Sequence, residues 1–271
     1  WAYICAYTRS IITTTMNTGF RFKQFFVRHD RCAMKVGTDG VLLGCWVFGS
    51  QELRAKRQER ILDIGTGSGL IALMLAQRYA EAQIDAIDID ADAVEQAREN
   101  FAASPWADRL HAAQCALQEW RAESRELRAE SRERKYDLIV SNPPYFVDSL
   151  KNPDAARRTA RHNDTLPFGT LIAESVRLLA ANGTLALIIP TEAEDELQRL
   201  AAEHRLQCVK RCYVHPKPGR PAKRVMIAWV RSDQLRNASA TIGGTTEHLT
   251  LEDEQSGRSE AYRELTKDYY L

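Results

Sequence analysis

Four consecutive residues, Asn142-Pro143-Pro144-Tyr145, carry the most specific chemistry in the chain. Two prolines in a row fix φ and remove two N–H donors, leaving carbonyls that can only accept. The Asn142 side-chain oxygen is a further acceptor. Such a turn suits a planar NH₂ group. Asn142 Oδ1 and the Pro143 carbonyl can take its two hydrogens, polarise the nitrogen and aim its lone pair. Tyr145 offers a face on which a flat group can stack. An exocyclic amine is a weak nucleophile because its lone pair is delocalised, so alignment rather than a strong base must supply the rate. A stacked or paired base would first have to be turned out to reach the turn.

A second constellation, Asp63-Ile64-Gly65-Thr66-Gly67-Ser68-Gly69-Leu70, follows a β-branched run and opens an apolar helical pattern. Glycines let the backbone turn sharply and let a ligand approach without a Cβ in the way. The helix start beyond them presents free N–H groups. The order is DxGxGxG; in the dinucleotide fingerprint GxGxxG a third glycine would stand where Leu70 does. An acid at the strand end repels a pyrophosphate and accepts a ligand bearing a cationic, amino-acid-like group. This favours S-adenosylmethionine over a nicotinamide cofactor. Asp88 closes the run IDAIDID, where a carboxylate can accept both hydroxyls of a ribose. Asp90 and Asp92 fit the start of the next helix as cap and charge.

These motifs need a scaffold that brings strand ends together. Short β-branched runs alternate with longer amphipathic ones from residue 60, the pattern of a parallel sheet covered by helices. Strands are expected at 60–64, 83–88, 110–114, 136–141, 183–189, 207–214 and 224–230. Helical stretches are expected at 70–80, 91–103, 117–134, 169–179 and 191–204. The link HPKPGRPAK between the last two strands is too short for a crossover and rich in Pro and Gly, so they form an antiparallel hairpin. The expected fold is α/β, a Rossmann-like seven-stranded sheet, mostly parallel, ending in that hairpin. The insert RAESREL-RAESRE (121–133) is a tandem charged repeat that reads as a solvated helix extension.

Lys and Arg number 37 against 36 Asp and Glu, so no global basic field announces a nucleic-acid binder and any such affinity must be local. The six cysteines, Cys5, Cys32, Cys45, Cys115, Cys208 and Cys212, form no CxxC pair and read as reduced thiols; no metal site is expected. No stretch has the apolar length of a membrane span or the layout of a signal peptide. Residues 1–18 read as a disordered or non-native extension, with Met16 as the natural start. Residues 19–59 form an element covering the cofactor site, and 60–271 the catalytic domain.

DIGTGSG, then Asp88, then NPPY resemble the class I amino-methyltransferases that act on DNA adenine, RNA adenine or guanine, and protein glutamine. The segments 22–44, 100–109 and 259–271 further resemble the bacterial tRNA1(Val) adenine-N6 methyltransferases, from about Gly19 to the end. The resemblance implies that Asp63, Gly65, Gly67 and Gly69 line the methionine part of S-adenosylmethionine and that Asp88 binds its ribose. It places Lys35 and Thr38 across the methionine end and makes Asn142, Pro143, Pro144 and Tyr145 the target-amine site. It implies methylation at N6 of the adenine beside the anticodon (position 37) by a cytoplasmic monomer with tRNA as partner and no DNA, membrane or metal. One departure stands out: the family's Asp after the third strand is Ala116 here, so adenine recognition passes to backbone groups or another side chain.

Three basic groups could grip RNA phosphates: Arg21, Lys23, Arg28 and Arg31; Arg157, Arg158 and Arg161; and Lys217, Arg220, Lys223 and Arg224. The last two groups are favoured because they fall on the side where strands end. Rival readings are an amino-methyltransferase for ribosomal RNA guanine-N2 or release-factor glutamine, a catalytically weak protein that binds S-adenosylmethionine and RNA, and a nicotinamide-dependent dehydrogenase. Glycine spacing and the double proline disfavour the last.

Overall fold

Runs dominated by Ile, Leu, Val and Ala are buried on both faces, as strands of a helix-covered sheet must be. In the computed structural model, which describes residues 18–32, 35–47, 60–121, 135–144, 166–233 and 244–270, those runs become the sheet. An antiparallel pair, β1 (Gly19–Arg21) and β2 (Phe26–Arg28), precedes helix α1 (Thr38–Trp46). Then follow β3 (Arg60–Ile64), α2 (Leu70–Arg78), β4 (Gln83–Asp88), α3 (Ala91–Ala102), β5 (Leu110–Gln114) and β6 (Tyr136–Ser141). The chain continues through α4 (Phe168–Leu178), β7 (Leu179–Pro190), α5 (Glu194–Glu203), β8 (Leu206–His215), β9 (Arg224–Arg231), β10 (Thr245–Thr250) and α6 (Glu260–Thr266). The sheet runs β10-β8-β9-β7-β6-β3-β4-β5.

All seven expected strands are present, four of them with the expected bounds. β9 runs antiparallel to both β7 and β8, the expected hairpin. An eighth strand, β10, adds in parallel at the β8 edge. Its sequence, TTEHLT, gives no apolar alternation: four of its six residues are exposed. Gly244 precedes it with φ +67°, and a Cβ there would lie 2.6 Å from the Val209 carbonyl carbon, so only glycine fits. The expected helix over 117–134 is not seen in its described part. There the chain makes one turn, with the Glu119 and Trp120 N–H groups donating to the Ala116 carbonyl. The rest of that helix, with the charged repeat from residue 122, lies outside the described residues, as do residues 1–17. Among the described residues no helix is long and apolar enough to cross a membrane, and no group of three or more His, Cys, Asp or Glu could hold a metal ion.

α1 escapes a periodicity reading because seven of its nine residues are buried, leaving no polar stripe. Its two glycines let it lie close on α2. A Cβ on Gly40 would come within 3.1 Å of Leu70 Cδ2, and one on Gly44 within 2.7 Å of Met74 Sδ. The β1–β2 pair is pinned from both chain ends. Phe22 stacks on Phe25 with ring centroids 4.6 Å apart and on Tyr270 at 5.8 Å, and Lys23 N–H donates to the Tyr269 carbonyl. Asn100, 2% exposed, then ties this pair to the glycine loop. Its Oδ1 accepts from Arg28 N–H at 2.9 Å, and its Nδ2 donates to the Arg28 carbonyl and the Ser68 carbonyl, both at 2.8 Å.

Removing that amide strands three backbone groups, the buried Ser68 carbonyl and the part-buried N–H and carbonyl of Arg28. Asn100→Ala should cost about 2–4 kcal/mol, lowering Tm by about 5–15 °C in a thermal melt. Asn100→Asp should be no better, since a carboxylate has no hydrogen for the two carbonyls. A melt unchanged by either substitution would remove Asn100 as the tie.

Candidate active site

The loop after β3 turns through three left-handed glycines, Gly65 (φ +69°), Gly67 (+54°) and Gly69 (+80°). They do different work. A Cβ on Gly65 or Gly67 would meet nothing within 4 Å, so both line open space. A Cβ on Gly69 would lie 2.5 Å from Phe101 Cε1, so this glycine lets α2 start against α3 instead of facing a ligand. Gly65 and Thr66 N–H groups donate to the Ile87 carbonyl at 2.9 and 3.1 Å, and Gly67 N–H to Asp88 Oδ2 at 2.9 Å.

Asp63 sits beneath the loop, 0% exposed. Its Oδ2 accepts from Thr66 Oγ1–H at 2.6 Å and from Ala72 N–H at 3.2 Å, while Oδ1 has no partner. Burial pushes its pKa up to about 7, against the pull of those two hydrogen bonds. Asp63 therefore shapes the loop and the start of α2 from inside. Asp88, at the end of β4, also titrates above its ordinary value through burial, and its Oδ1 accepts from Asp90 N–H at 3.1 Å. Asp90 caps α3 by accepting from Asp92 N–H, as its position suggested. Carboxylate oxygens have lone pairs beyond these bonds.

Next to Asp88, Ile89 is 44% exposed, one of only two large hydrophobic side chains so exposed among the described residues. Sequence reasoning passed over it because one isoleucine in IDAIDID reads as strand core. The segment after β2 also approaches this corner. Burial, then Asp88, Asp90, Asp30 and Asp92 in turn, push the Cys32 thiol up to about 11. Thr38, half-buried, begins α1 close to the start of α2, and Lys35 is exposed. Ala116 lies in the turn after β5, half-buried.

β3 and β6 are neighbours in register, with Ile64 opposite Ser141, and Ser141 Oγ–H donates to the Ile64 carbonyl at 2.7 Å. The glycine loop and the Asn-Pro-Pro turn thus leave the sheet side by side, about 4.8 Å apart at their roots. Asn142 is half-buried, Pro143 buried and Pro144 exposed. Tyr145 lies outside the described residues, as do Arg157, Arg158 and Arg161.

The β8–β9 hairpin divides its cations. Arg224 Nε–H donates to Asp39 Oδ2 at 2.8 Å, bracing the hairpin against the start of α1. Lys217 pairs with Glu252 at 3.1 Å. Arg220 and Lys223 are exposed and form no ion pair among the described residues. The N-terminal group is largely spoken for: Arg31 pairs with Glu99, Arg28 with Asp30, Lys23 Nζ donates to the Lys267 carbonyl, and Arg21 lies over the Phe26 ring.

The family model of the methyltransferase small domain matches residues 48–211. A tRNA1(Val) (adenine(37)-N6)-methyltransferase of Parabacteroides distasonis is 47% identical over 94% of this chain and 98% of its own length. One of the same name from Bacteroides thetaiotaomicron is 43% identical over the same shares. Among solved structures, a predicted O-methyltransferase of Agrobacterium tumefaciens has a TM-score of 0.60 at 19% identity, covering 85% of this chain and 96% of that one, a likeness of fold alone. With a strand-end glycine loop, an adjoining Asn-Pro-Pro turn and near full-length relatives, the chain belongs to the tRNA1(Val) (adenine(37)-N6)-methyltransferase family, within the methyltransferase small-domain family.

Proposed function

We propose that this protein transfers the methyl group of S-adenosylmethionine to N6 of the adenine at position 37, beside the anticodon, in tRNA1(Val). The single observation that carries the reading is the shared root of the glycine loop and the Asn142-Pro143-Pro144 turn on neighbouring strands. The names of near full-length relatives supply the substrate. A cytoplasmic setting follows from that substrate.

The residues present fit the cofactor. Gly65 and Gly67 keep open space where any Cβ would stand, and Asp88 offers acceptors for a ribose. Ile89 offers an exposed apolar face to a purine in place of the contact that Ala116 cannot make. Lys35 and Thr38 are assigned to the methionine end; Asp63 and Gly69 support the loop from behind. When bound, S-adenosylmethionine supplies an electrophilic methyl group on a sulfonium. Asn142 Oδ1 and the Pro143 carbonyl accept the two amine hydrogens, leaving the N6 lone pair free to attack that carbon. The extra proton on N6 would leave to solvent after transfer, so holding the amine hydrogens is all that Asn142 and Pro143 need do and no strong base is required. Tyr145 stacks on the base. Arg220 and Lys223, with Arg157, Arg158 and Arg161, take phosphates.

Asn142→Ala should lower kcat on a tRNA1(Val) transcript roughly 100-fold and leave cofactor Kd within twofold. Mass spectrometry of tRNA nucleosides should show N6-methyladenosine lost from that tRNA when the gene is deleted, without rescue by the Asn142→Ala gene. An unchanged nucleoside profile on deletion would rule out the substrate.

The buried Asp63 sets a pH dependence. Its folded-state pKa, about 7, stands above its unfolded value. The apo protein therefore loses stability as pH rises from about 4, the ordinary carboxylate range, up to about 7, and no more beyond. A positively charged cofactor favours the ionised carboxylate, so its affinity should rise between pH 6 and 8. Asp63→Asn should flatten that rise in a calorimetric titration. A wild-type affinity independent of pH over this range would dismiss the electrostatic role of Asp63.

A further inference from the structure

At the outer edge of the sheet three rings stand in a row. Tyr213 and His215 are two residues apart on β8 and share a face, and His248 on β10 is the partner of Tyr213 across the strands. The Tyr213 and His248 rings stack with centroids 5.4 Å apart at 27°, and His248 and His215 follow at 5.2 Å and 31°. Each ring is held by polar atoms. Tyr213 O–H donates to Glu194 Oε1 at 3.1 Å, and the same oxygen accepts from Arg211. His215 Nδ1 lies 2.8 Å from the Arg220 carbonyl and its Nε2 lies 3.0 Å from His248 Nδ1. A carbonyl only accepts, so His215 Nδ1 carries a hydrogen. In the neutral pair His215 Nε2 then accepts from His248 Nδ1–H, which fixes both rings.

A ring row held this way loses little freedom on contact. His248 itself is exposed. Two acids at this edge are neutralised in place, Glu247 by Lys210 and Glu252 by Lys217. Arg220, whose carbonyl holds His215, and Lys223 are exposed at the same hairpin and form no ion pair among the described residues. His215 closes β8, which runs in the same direction as β6, so the row lies toward the strand ends that carry Asn142. β8 and β10 are three and four strands away from β6, about 14–19 Å at the usual spacing.

We propose that Tyr213, His248 and His215 form a nucleotide-stacking subsite for the RNA substrate. It takes an unpaired base a few nucleotides from the target adenine, while Arg220 and Lys223 hold the adjoining phosphates. Aromatic faces beside cations are how single-stranded RNA is held with little dependence on sequence. The proposal rests on the tRNA reading above.

The test is steady-state methylation of a tRNA1(Val) transcript by the full chain, with cofactor Kd measured separately. His248→Ala should raise the KM for RNA about tenfold with kcat within twofold and cofactor Kd unchanged. His248→Phe, which keeps a ring but no imidazole hydrogen bond, should restore KM to within twofold. Arg199→Ala, which removes a cation already paired on α5, controls for loss of surface charge and should match the wild type. An unchanged KM in His248→Ala, with wild-type methylation intact, would overturn the subsite alone. So would a His248→Phe protein as impaired as His248→Ala, because the histidine pair would then be merely structural. A wild-type enzyme that methylates no tRNA would overturn the functional reading and the subsite together.

Discussion

Asp63 has no exposed surface and, among the described residues, no salt bridge, yet the C-terminal end of β3 and the loop after it are arranged around it. One of its oxygens gathers the Thr66 hydroxyl and the Ala72 N–H, drawing the loop and the first turn of α2 to a single point. With that point fixed from below, Gly65 and Gly67 take left-handed backbone beside open space. A buried carboxyl without a counter-cation is costly, and burial accordingly lifts its pKa toward neutrality. The Thr66 and Ala72 hydrogen bonds offset part of that cost.

The rest of the fold braces that loop and the helix after it. Asn100 joins the β1–β2 pair to Ser68 of the loop, and Gly40 and Gly44 let α1 settle on α2. Tyr269 binds the Met74 carbonyl from the C-terminal segment, so both ends of the described chain close on α2. This bracing depends on contacts between residues far apart in sequence, those of Asn100 and Tyr269 made to backbone carbonyls that would otherwise go unpaired and those of Gly40 and Gly44 to side chains of α2.

Charge is distributed on the same principle. A near-zero balance of ionisable residues hides the fact that most hairpin and N-terminal cations have internal partners. Arg224 bridges to Asp39 and Lys217 to Glu252, which turns two expected phosphate ligands into braces. Arg220 and Lys223 are left facing outward at the hairpin. The specificity of such a surface comes from which few cations are free, not from how many there are.

The amino-acid order by itself determined the strands that are buried on both faces, because continuous β-branched runs have no other stable home. It also determined the two motifs, because glycine and proline act through their own backbone restrictions. Asn142, Pro143, Gly65, Gly67 and Asp88 fall at or just beyond strand ends, as the order of runs and motifs in the sequence implies. Only the tertiary structure decided what each neighbour meets in space. It turned Gly69 toward Phe101, exposed Ile89, buried α1 on nearly every side and recruited TTEHLT as an edge strand. It also set three rings from β8 and β10 in a row. These outcomes depend on partners tens to hundreds of residues away. Periodicity and local propensity, which are properties of a short window, carry no record of them.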